Sequence, residues 1–323
     1  MRETRTKKTG KKLKVILLLF LSLILVAVAV CVAVVGGNYV SNRNFKETFY
    51  NVSSLKVNNK IRVIQISDLH SCTYGTQNSD ILNRVSKLKP DIIILTGDCI
   101  DSTSGNVDEI VSFCSKLSDI APSYYIYGNN EIERFYGEAL TQENLDKKFG
   151  FDDSNRDPEK LFETSDSFEQ KLEEGGVKVL KNEMDTLKVG TTTVDVYGVL
   201  TSNPSAFWSY GGESFDNFIY TNPSNLKITA IHEPLVFEEF GDTDTWGDLI
   251  VAGHTHGGTA KIPVLGPAYT PDGGFLPARS GCLVYGRYDV QGSPLIISSG
   301  LENKNLLRIN NPPEIVIVDI NRF

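Results

Sequence analysis

Short apolar blocks recur along residues 61–320, and each of them ends in a polar turn. The blocks IRVIQIS, DIIILTG, SYYIYG, LKITAI and DLIVAG are rich in β-branched and aromatic residues. Apolar runs of this length predict strands that are buried on both faces of a sheet. The segment QNSDILNRVSKLKPD between the first two blocks predicts a crossover helix, with Ser79 or Asp80 capping its start and Pro90 marking its exit. The pattern therefore predicts an α/β domain over residues 60–323.

Two stretches interrupt this alternation. Residues 135–176 are charged, and SDSFEQKLEEGG at their end predicts a capped helix that stops at Gly175–Gly176. This segment is either a lid insertion beside an active site or a surface insertion. The aromatic-rich residues 206–220, AFWSYGGESFDNFIY, are either a core-packing face or a wall for an apolar substrate, and the pattern favours the core.

The N-terminal residues have a different pattern. Residues 1–14 contain seven Lys or Arg and one Glu, and residues 15–35 contain no charge. An uncharged stretch of this length can cross a bilayer as a helix, and it is apolar all round, unlike the amphipathic helix of a soluble core. Basic residues flanking such a helix stay on the cytoplasmic side. We therefore predict a basic cytoplasmic tail (1–14), a single-pass transmembrane anchor in the cell membrane (15–35), and an extracytoplasmic domain.

A short polar tether, residues 36–59, is predicted to join the anchor to this domain. A cleaved signal peptide is the alternative to an anchor, and AVA at 27–29 could serve as its cleavage site. The apolar run continues past this point to Val35, which favours the anchor.

The charge of the chain argues against nucleic acid as a partner. Residues 1–14 carry +6 of the net charge of −8, so the rest of the chain carries −14. Nucleic-acid binding needs a basic footprint, which so acidic a domain lacks. The five cysteines include no CxxC pair, so the sequence does not suggest a thiolate zinc site.

All four histidines lie just after predicted strands, where active sites of open α/β sheets collect. Asp68 and His70 are two residues apart in one turn, so both side chains can face one cation. His254 and His256 repeat this spacing. Asp98 is a single carboxylate after a glycine, and its two oxygens can bridge two ions.

Asn129 and His232 add an amide oxygen and an imidazole to this set. Mixed nitrogen and oxygen ligands without sulfur suit Mn²⁺, Fe or Zn²⁺. Seven candidate ligands are too many for one catalytic ion that keeps an open coordination position. They suit two ions about 3.5–4 Å apart, a pair that clamps the attacking and leaving oxygens of a phosphoryl transfer.

The order of these motifs resembles that of the calcineurin-like metallophosphoesterases. The resemblance covers about residues 60–320, and it rests on DLH (68–70), GDCID (97–101), GNNE (128–131), HEP (232–234) and GHTHGG (253–258). The segments GVKVLKNE and SSGLENKNLLRINNPPEIVIVDI look like those of the bacterial membrane-associated, YkuE-type branch. The resemblance implies a four-layer α/β/β/α sandwich, here preceded by one transmembrane helix.

The resemblance also implies a role for each motif. The first ion would be held by Asp68, His70 and His256, and the second by Asn129, His232 and His254. Asp98 would bridge two divalent ions, with Mn²⁺ favoured and Fe or Zn²⁺ as alternatives. The attacking group would be a metal-bound hydroxide. Asp98, Asn130 and His256 are the predicted catalytic residues.

Asn130 departs from the family pattern, in which a histidine at this position contacts the phosphate and protonates the leaving group. Asparagine can donate a hydrogen bond to a phosphate oxygen but cannot act as a general acid. We predict that Asn130 and Glu131 bind substrate. Loss of the histidine implies reduced turnover, a substitute acid such as Glu131 or Glu133, or a phosphoanhydride substrate whose leaving group needs no protonation.

The predicted function is that of a membrane-anchored phosphoesterase with two metal ions, acting on a phosphodiester or pyrophosphate. A phosphate ester in a lipid head group or an envelope precursor would be its substrate. The alternative is a metal-binding pseudoenzyme or an envelope interaction protein that lacks turnover because of Asn130. The sequence leaves the oligomeric state open.

Overall fold

Two six-stranded sheets form the centre of the chain in the computed structural model, which describes residues 2–136, 167–200, 212–234, 245–270, 273–304 and 308–323. The first sheet contains β1 (Lys46–Ser53), β2 (Ile61–Ile66), β3 (Ile92–Leu95), β4 (Ser123–Tyr125), β5 (Val177–Val179) and β16 (Glu314–Asn321). The second sheet contains β6 (Glu183–Val189), β7 (Thr192–Val199), β8 (Leu226–Ile231), β9 (Leu249–Ala252), β14 (Gly286–Val290) and β15 (Ser293–Ile297). The strand orders are β1-β16-β2-β3-β4-β5 and β14-β15-β9-β8-β7-β6.

The helices described lie outside the two sheets. They are α1 (Arg2–Asn42), α2 (Ser79–Leu88), α3 (Val107–Ser118), α4 (Asn129–Tyr136), α5 (Ser167–Glu174) and α6 (Gly212–Tyr220), with 3₁₀ turns at Thr76–Asn78 and Pro277–Ser280. Two short ribbons, β10 (Lys261–Ile262) with β11 (Gly266–Pro267) and β12 (Tyr269–Thr270) with β13 (Gly274–Phe275), follow β9.

Alternation along the strands divides the core into layers. On β3, Ile93 and Leu95 pack with the buried side chains of α2, α3 and α5, whereas Ile92 and Ile94 pack with those of the second sheet. On the far side of the second sheet, Phe215 of α6 packs with its neighbours in a third cluster. The predicted α/β/β/α sandwich is therefore confirmed.

Strand direction brings the polar turns to one edge of each sheet. In the first sheet β2, β3, β4 and β5 run parallel, and in the second β7, β8, β9 and β15 do so. The carboxyl ends of parallel strands lie on the same edge, where ligands bind in open α/β sheets. The turns after β2, β3, β4, β8 and β9 carry the candidate metal ligands.

The predicted crossover helix is confirmed as α2, but its cap is not the predicted one. Ile81 and Val85 on α2 are buried against the first sheet. The helix starts after Asn78, whose side chain accepts a hydrogen bond from the backbone N–H of Tyr74 and none from the first turn. Ser79 and Asp80 are helical residues, so the predicted cap was one or two residues too late.

The interrupting stretches fall partly outside the described residues. Of the possible lid, residues 137–166 lie outside, and the part after them forms α5. Phe168 of α5 is fully buried against the first sheet, so α5 belongs to the core layer. In the aromatic-rich stretch, residues 206–211 lie outside the description, and Phe215 and Phe218 of α6 are buried, which agrees with the core-packing reading.

The N-terminal segment forms a long helix followed by an edge strand. Within α1, the segment Lys14–Asn42 is long and apolar enough to cross a membrane, and its most apolar 18-residue window has no buried residue. Strand β1 lies within the predicted tether and pairs in parallel with β16 along its whole length. The tether prediction missed this strand because a half-exposed edge strand shows no continuous apolar run; its burial alternates, with Val52 buried and its neighbours exposed.

Candidate metal centre

The first cluster of candidate ligands joins the turns after β2 and β9. One ligand atom each from Asp68, His70 and His256 lies within 4.8 Å of the others. The Nε2 atoms of His70 and His256 are 3.2 Å apart, and His256 Nε2 is 3.5 Å from Asp68 Oδ1. Residues 186 positions apart in sequence thus present their donor atoms to one point.

The second cluster joins the turns after β3, β8 and β9 to the start of α4. Ligand atoms of Asp98, His232 and His254 lie within 4.8 Å of one another. The Oδ1 atom of Asn129 is 3.1 Å from His232 Nε2 and 3.1 Å from His254 Nδ1. The structure therefore brings all seven predicted ligands together in two groups.

Asp98 lies between the two clusters. Its Oδ2 atom is 3.6 Å from His70 Nε2 in the first cluster and 3.3 Å from His232 Nε2 in the second. Its side chain is 3 % exposed, so solvent screens it little. A carboxylate in this position can bridge two cations.

Outer hydrogen bonds orient three of the imidazoles. The Nδ1 atom of His70 lies 2.9 Å from Asp101 Oδ1, and that of His256 lies 3.0 Å from Glu302 Oε2. His232 Nδ1 lies 2.6 Å from the backbone oxygen of Thr96. A histidine that donates Nδ1–H to such a partner presents the lone pair of Nε2, which is the arrangement usual for metal ligands.

This arrangement fits a cation between His70 and His256. When each Nδ1 donates its proton to the carboxylate that it faces, both Nε2 atoms carry lone pairs, and these nitrogens face each other at 3.2 Å. Two lone pairs repel unless an electron-pair acceptor lies between them. A divalent ion held with Asp68 satisfies both nitrogens, and the mixed donor set suits a transition metal.

Several candidate ligands have a backbone conformation that residues other than glycine rarely adopt. Five ligands have φ in the left-handed region: Asp68 (50°), His70 (46°), Asp98 (53°), His254 (69°) and His256 (51°). Strained conformations of this kind concentrate at functional sites, where surrounding structure maintains them. Gly97 and Gly128 allow the two loops to approach closely, since a Cβ on Gly97 would lie 2.4 Å from the Gly128 nitrogen.

Two carboxylates of the centre, Asp101 and Glu302, were not among the predicted site residues. Asp101 is the last residue of GDCID, three positions after Asp98, and Glu302 follows the end of β15 by a few residues. Burial opposes the ionised form of each, but His70 lowers the pKa of Asp101 and His256 lowers that of Glu302. A signal was present in the sequence, because both follow strand ends on the ligand edge.

We predict that Asp101→Asn or Glu302→Gln each weakens binding of the first ion about 10–100-fold, the usual effect of losing an outer-shell partner. Each change keeps the side-chain shape and removes the charge that fixes the imidazole. Titration of metal into protein that a chelator has freed of metal measures the affinity. Asp119→Asn, which removes an exposed carboxylate after α3, is the matched control. An unchanged affinity in both variants would show that other contacts set the ring orientation.

His232 gives the metal affinity a pH dependence. Burial alone would lower the pKa of His232, but the adjacent Asp98 carboxylate raises it from 6.5 to about 10. The metal-free protein therefore keeps this proton at pH 8, where an ordinary histidine has lost it, and a bound ion displaces it. We expect about one proton released per protein from His232 at pH 8, and affinity that increases up to about pH 10. Calorimetry in buffers of different ionisation enthalpy measures this release, and its absence at pH 8 would contradict the expectation.

Asn130 holds Asp98 from the start of α4. Its Nδ2 donates to Asp98 Oδ2 at 2.6 Å, its backbone N–H donates to Asp98 Oδ1 at 2.9 Å, and its Oδ1 accepts from the Ser102 N–H at 3.0 Å. The side chain thus lies beside the Asp98 carboxylate, between the two ligand clusters.

Glu131 occupies a place that differs from its predicted substrate-binding role. Its side chain is fully buried behind the ligand loops. It accepts hydrogen bonds from four backbone N–H groups and one hydroxyl, those of Asp98, Cys99, Ile100, Gly128 and Tyr125. Burial and the Asp98 charge raise the pKa of Glu131, and these hydrogen bonds oppose that shift. A carboxylate so enclosed fixes the Asp98 and Asn129 loops and has no access to substrate.

Comparisons with known proteins identify a family model and several relatives that match this chain. A family model described as calcineurin-like phosphoesterase matches residues 61–258. The metallophosphoesterase YkuE of Bacillus subtilis is 25 % identical over 267 residues, covering 79 % of this chain and 77 % of YkuE. The phosphodiesterase YaeI of Escherichia coli is 22 % identical over 266 residues, covering 80 % of this chain and 82 % of YaeI. Among solved structures, a phosphopantetheinyl hydrolase from Mycobacterium tuberculosis superposes with a TM-score of 0.40 at 14 % identity, covering 74 % of this chain and 89 % of that one.

Proposed function

The chain belongs to the calcineurin-like phosphoesterase family, and we propose that it is a membrane-anchored phosphodiesterase that uses two divalent ions. The observation that carries this proposal is the pair of ligand clusters that share Asp98. Two bound ions supply Lewis acidity, which acidifies water toward a pKa of about 7 and neutralises charge on the phosphoryl group. Mn²⁺ is the proposed metal, because nitrogen and oxygen ligands without sulfur suit it.

The residues of the chain then have separate tasks. Asp68, His70 and His256 would hold the first ion, and Asn129, His232 and His254 would hold the second. Asp98 would contribute to both sites, and Asn130 positions Asp98 and can donate an N–H to a phosphate oxygen. Asp101 and Glu302 keep the imidazoles of the first cluster in the binding tautomer.

Hydrolysis of bis(p-nitrophenyl) phosphate by the full-length protein in detergent tests this proposal. We expect turnover with Mn²⁺ that is lost on chelation and restored by metal. Stoichiometric metal without turnover on any activated diester would instead support the pseudoenzyme alternative, which Asn130 motivates. Absence of bound metal would contradict both functions.

Asn130→His is expected to raise turnover on diesters with poor leaving groups. A histidine at this position supplies a proton donor that asparagine lacks, and general acid catalysis contributes about 10²–10⁴-fold. We expect kcat on the diester with the poorest leaving group to rise at least about tenfold. The gain is smaller than the full range because the substitution also removes the hydrogen bond from Asn130 Nδ2 to Asp98. Rates at saturating metal across aryl methyl phosphates measure the dependence on leaving-group pKa. An equal change on good and poor leaving groups would rule out general acid catalysis.

We also propose that the substrate lies at the membrane surface. Helix α1 ends at Asn42, and the Phe45 ring packs edge-on against Tyr74 at a centroid distance of 5.3 Å. Tyr74 belongs to the loop after β2 that carries Asp68 and His70. If α1 crosses the membrane with its basic end in the cytoplasm, this loop lies close to the outer surface. A phosphodiester in a lipid or envelope precursor is the proposed substrate, and equal activity of the full chain and an α1-deleted chain toward a vesicle-embedded diester would contradict this.

A further inference from the structure

A cleft begins beside the first ligand cluster and runs between the loop after β2 and the start of α3. Its volume is about 640 Å³, within the range of small-molecule sites. At the near end, Lys304 Nζ donates to the backbone oxygen of His70 at 2.7 Å and lies 3.3 Å from Asp101 Oδ2. The cleft wall is therefore built on the same residues that hold and orient the first ion. A diester bound to the ions can extend one of its two substituents into this space.

Most of the residues that line the cleft have polar side chains. Hydroxyl and carboxamide groups from both loops face it, among them Ser71, Thr73, Gln77, Asn106 and Ser112. Carbon atoms also form much of the cleft surface, although the apolar side chains of Ile110 and Phe113 are themselves buried. An acyl chain here would desolvate polar groups without replacing their hydrogen bonds, which is costly. The lining instead suits a group that carries several hydroxyls on a carbon skeleton.

The charges of the cleft disfavour an anionic group. Asp108 and Glu109 at the start of α3 are exposed carboxylates that line it. Lys304, the cation of the near end, already lies beside Asp101. Asp108 is itself paired with Lys171 at 2.6 Å, so an additional phosphate or carboxylate would meet the Glu109 charge and cations that already have carboxylate partners. A neutral substituent meets neither cost.

The end of the cleft beside the first ligand cluster also contains a hydroxyl without a hydrogen-bond partner among the described residues, and a glycine opposite it. Ser71 Oγ is buried and has no hydrogen-bond partner among the described residues. Gly105, opposite it, has φ +91°, and a Cβ there would lie 2.0 Å from Ser71 Oγ. The absence of a side chain at Gly105 thus leaves room for this hydroxyl, which has almost no accessible surface. A bound molecule can satisfy its unmet hydrogen bond when the Ser71 side chain rotates toward the cleft.

We propose that this cleft is the specificity site for one substituent of the diester, and that this substituent is a neutral, hydroxyl-rich group such as glycerol or a sugar. The inference rests on the phosphodiesterase function proposed above and adds the substrate class. In this assignment the hydroxyl-rich substituent of the diester lies in the cleft, and a lipid substituent lies outside it. Lys304 is a positioning residue at the junction between the cleft and the ions.

Two blocking variants of the full chain test this assignment. Ser112→Trp on α3 and Thr73→Trp in the facing loop both put a large ring into the cleft from exposed positions. Asp119→Trp, exposed just past the end of α3, is the matched control. The probes are glycerophosphoglycerol, whose substituents are polyols, and methyl p-nitrophenyl phosphate. The readout is the ratio of the two KM values, together with metal content and thermal stability.

We expect Ser112→Trp and Thr73→Trp to raise the KM ratio of glycerophosphoglycerol to methyl p-nitrophenyl phosphate at least tenfold, and Asp119→Trp to leave it unchanged. An unchanged ratio in both folded blocking variants would overturn the inference while the phosphodiesterase function stands. A KM of the unmodified protein that is at least tenfold lower for a long-chain alkyl p-nitrophenyl phosphate than for glyceryl p-nitrophenyl phosphate, which has the same leaving group, would overturn it as well. Hydrolysis of none of the probes by metal-loaded protein would overturn the proposed function and this inference with it.

Discussion

Asp98→Asn is expected to lower kcat on bis(p-nitrophenyl) phosphate by at least about 10³-fold, because it removes the one carboxylate shared by both metal sites. Asp98 is nearly fully buried, and its Oδ2 atom lies 3.6 Å from His70 Nε2 and 3.3 Å from His232 Nε2. Asparagine has the same shape but offers one neutral oxygen and an NH₂ group that repels cations. We expect fewer than two ions per protein, measured by elemental analysis after metal loading.

The same variant separates the enzyme from the metal-binding alternative. If the protein has no catalytic role, the unmodified protein and the Asp98→Asn variant both show only the background rate of hydrolysis. The two proteins then differ in metal content alone. Asp248→Asn, at a carboxylate paired with Lys56 away from the clusters, is the control for loss of one acidic charge. Full activity in Asp98→Asn would contradict a bridging role for this residue.

The convergence of the seven candidate ligands could be predicted from the sequence because the information about their positions is local. Each of the seven follows a short apolar strand, and a parallel sheet places such strand ends on one edge whatever the order of the strands. The two-residue spacings of Asp68 with His70 and of His254 with His256 need only a single turn. The layers of the fold likewise follow from apolar runs that are buried on both faces.

Features that depend on long-range contacts were beyond this reasoning. Strand β1 is stabilised by pairing with β16, more than 260 residues later, and its own pattern is that of a half-exposed edge. Asp101 and Glu302 follow strand ends on the ligand edge, but their contacts with His70 and His256 depend on a turn geometry that the sequence does not specify. The left-handed backbone of the ligand turns is set by the surrounding structure, since local propensity opposes it.

Glu131 shows the same limit in a single residue. Its place in GNNE, next to Asn129 and Asn130, favoured a role in substrate binding or proton donation. In the folded chain, helix α4 starts at Asn129, and the Glu131 carboxylate points back under the loops after β3 and β4. Glu131 is close to the ligands in sequence, but its side chain is buried behind the loops that carry them.

Glu131→Gln is expected to lower the free energy of unfolding by about 2–5 kcal/mol, because the carboxylate accepts five hydrogen bonds at a fully buried position. Glutamine is isosteric, but either orientation of its amide turns an NH₂ group toward at least two donors, each of which costs about 1–3 kcal/mol when left unsatisfied. Denaturant unfolding of the full chain in detergent measures the change, and Glu173→Gln at an exposed position of α5 should differ from the unmodified protein by less than about 0.5 kcal/mol. If Glu131→Gln instead keeps its stability and loses turnover, Glu131 acts on substrate as its position in the sequence first indicated, and the burial of its carboxylate is not what holds the metal loops.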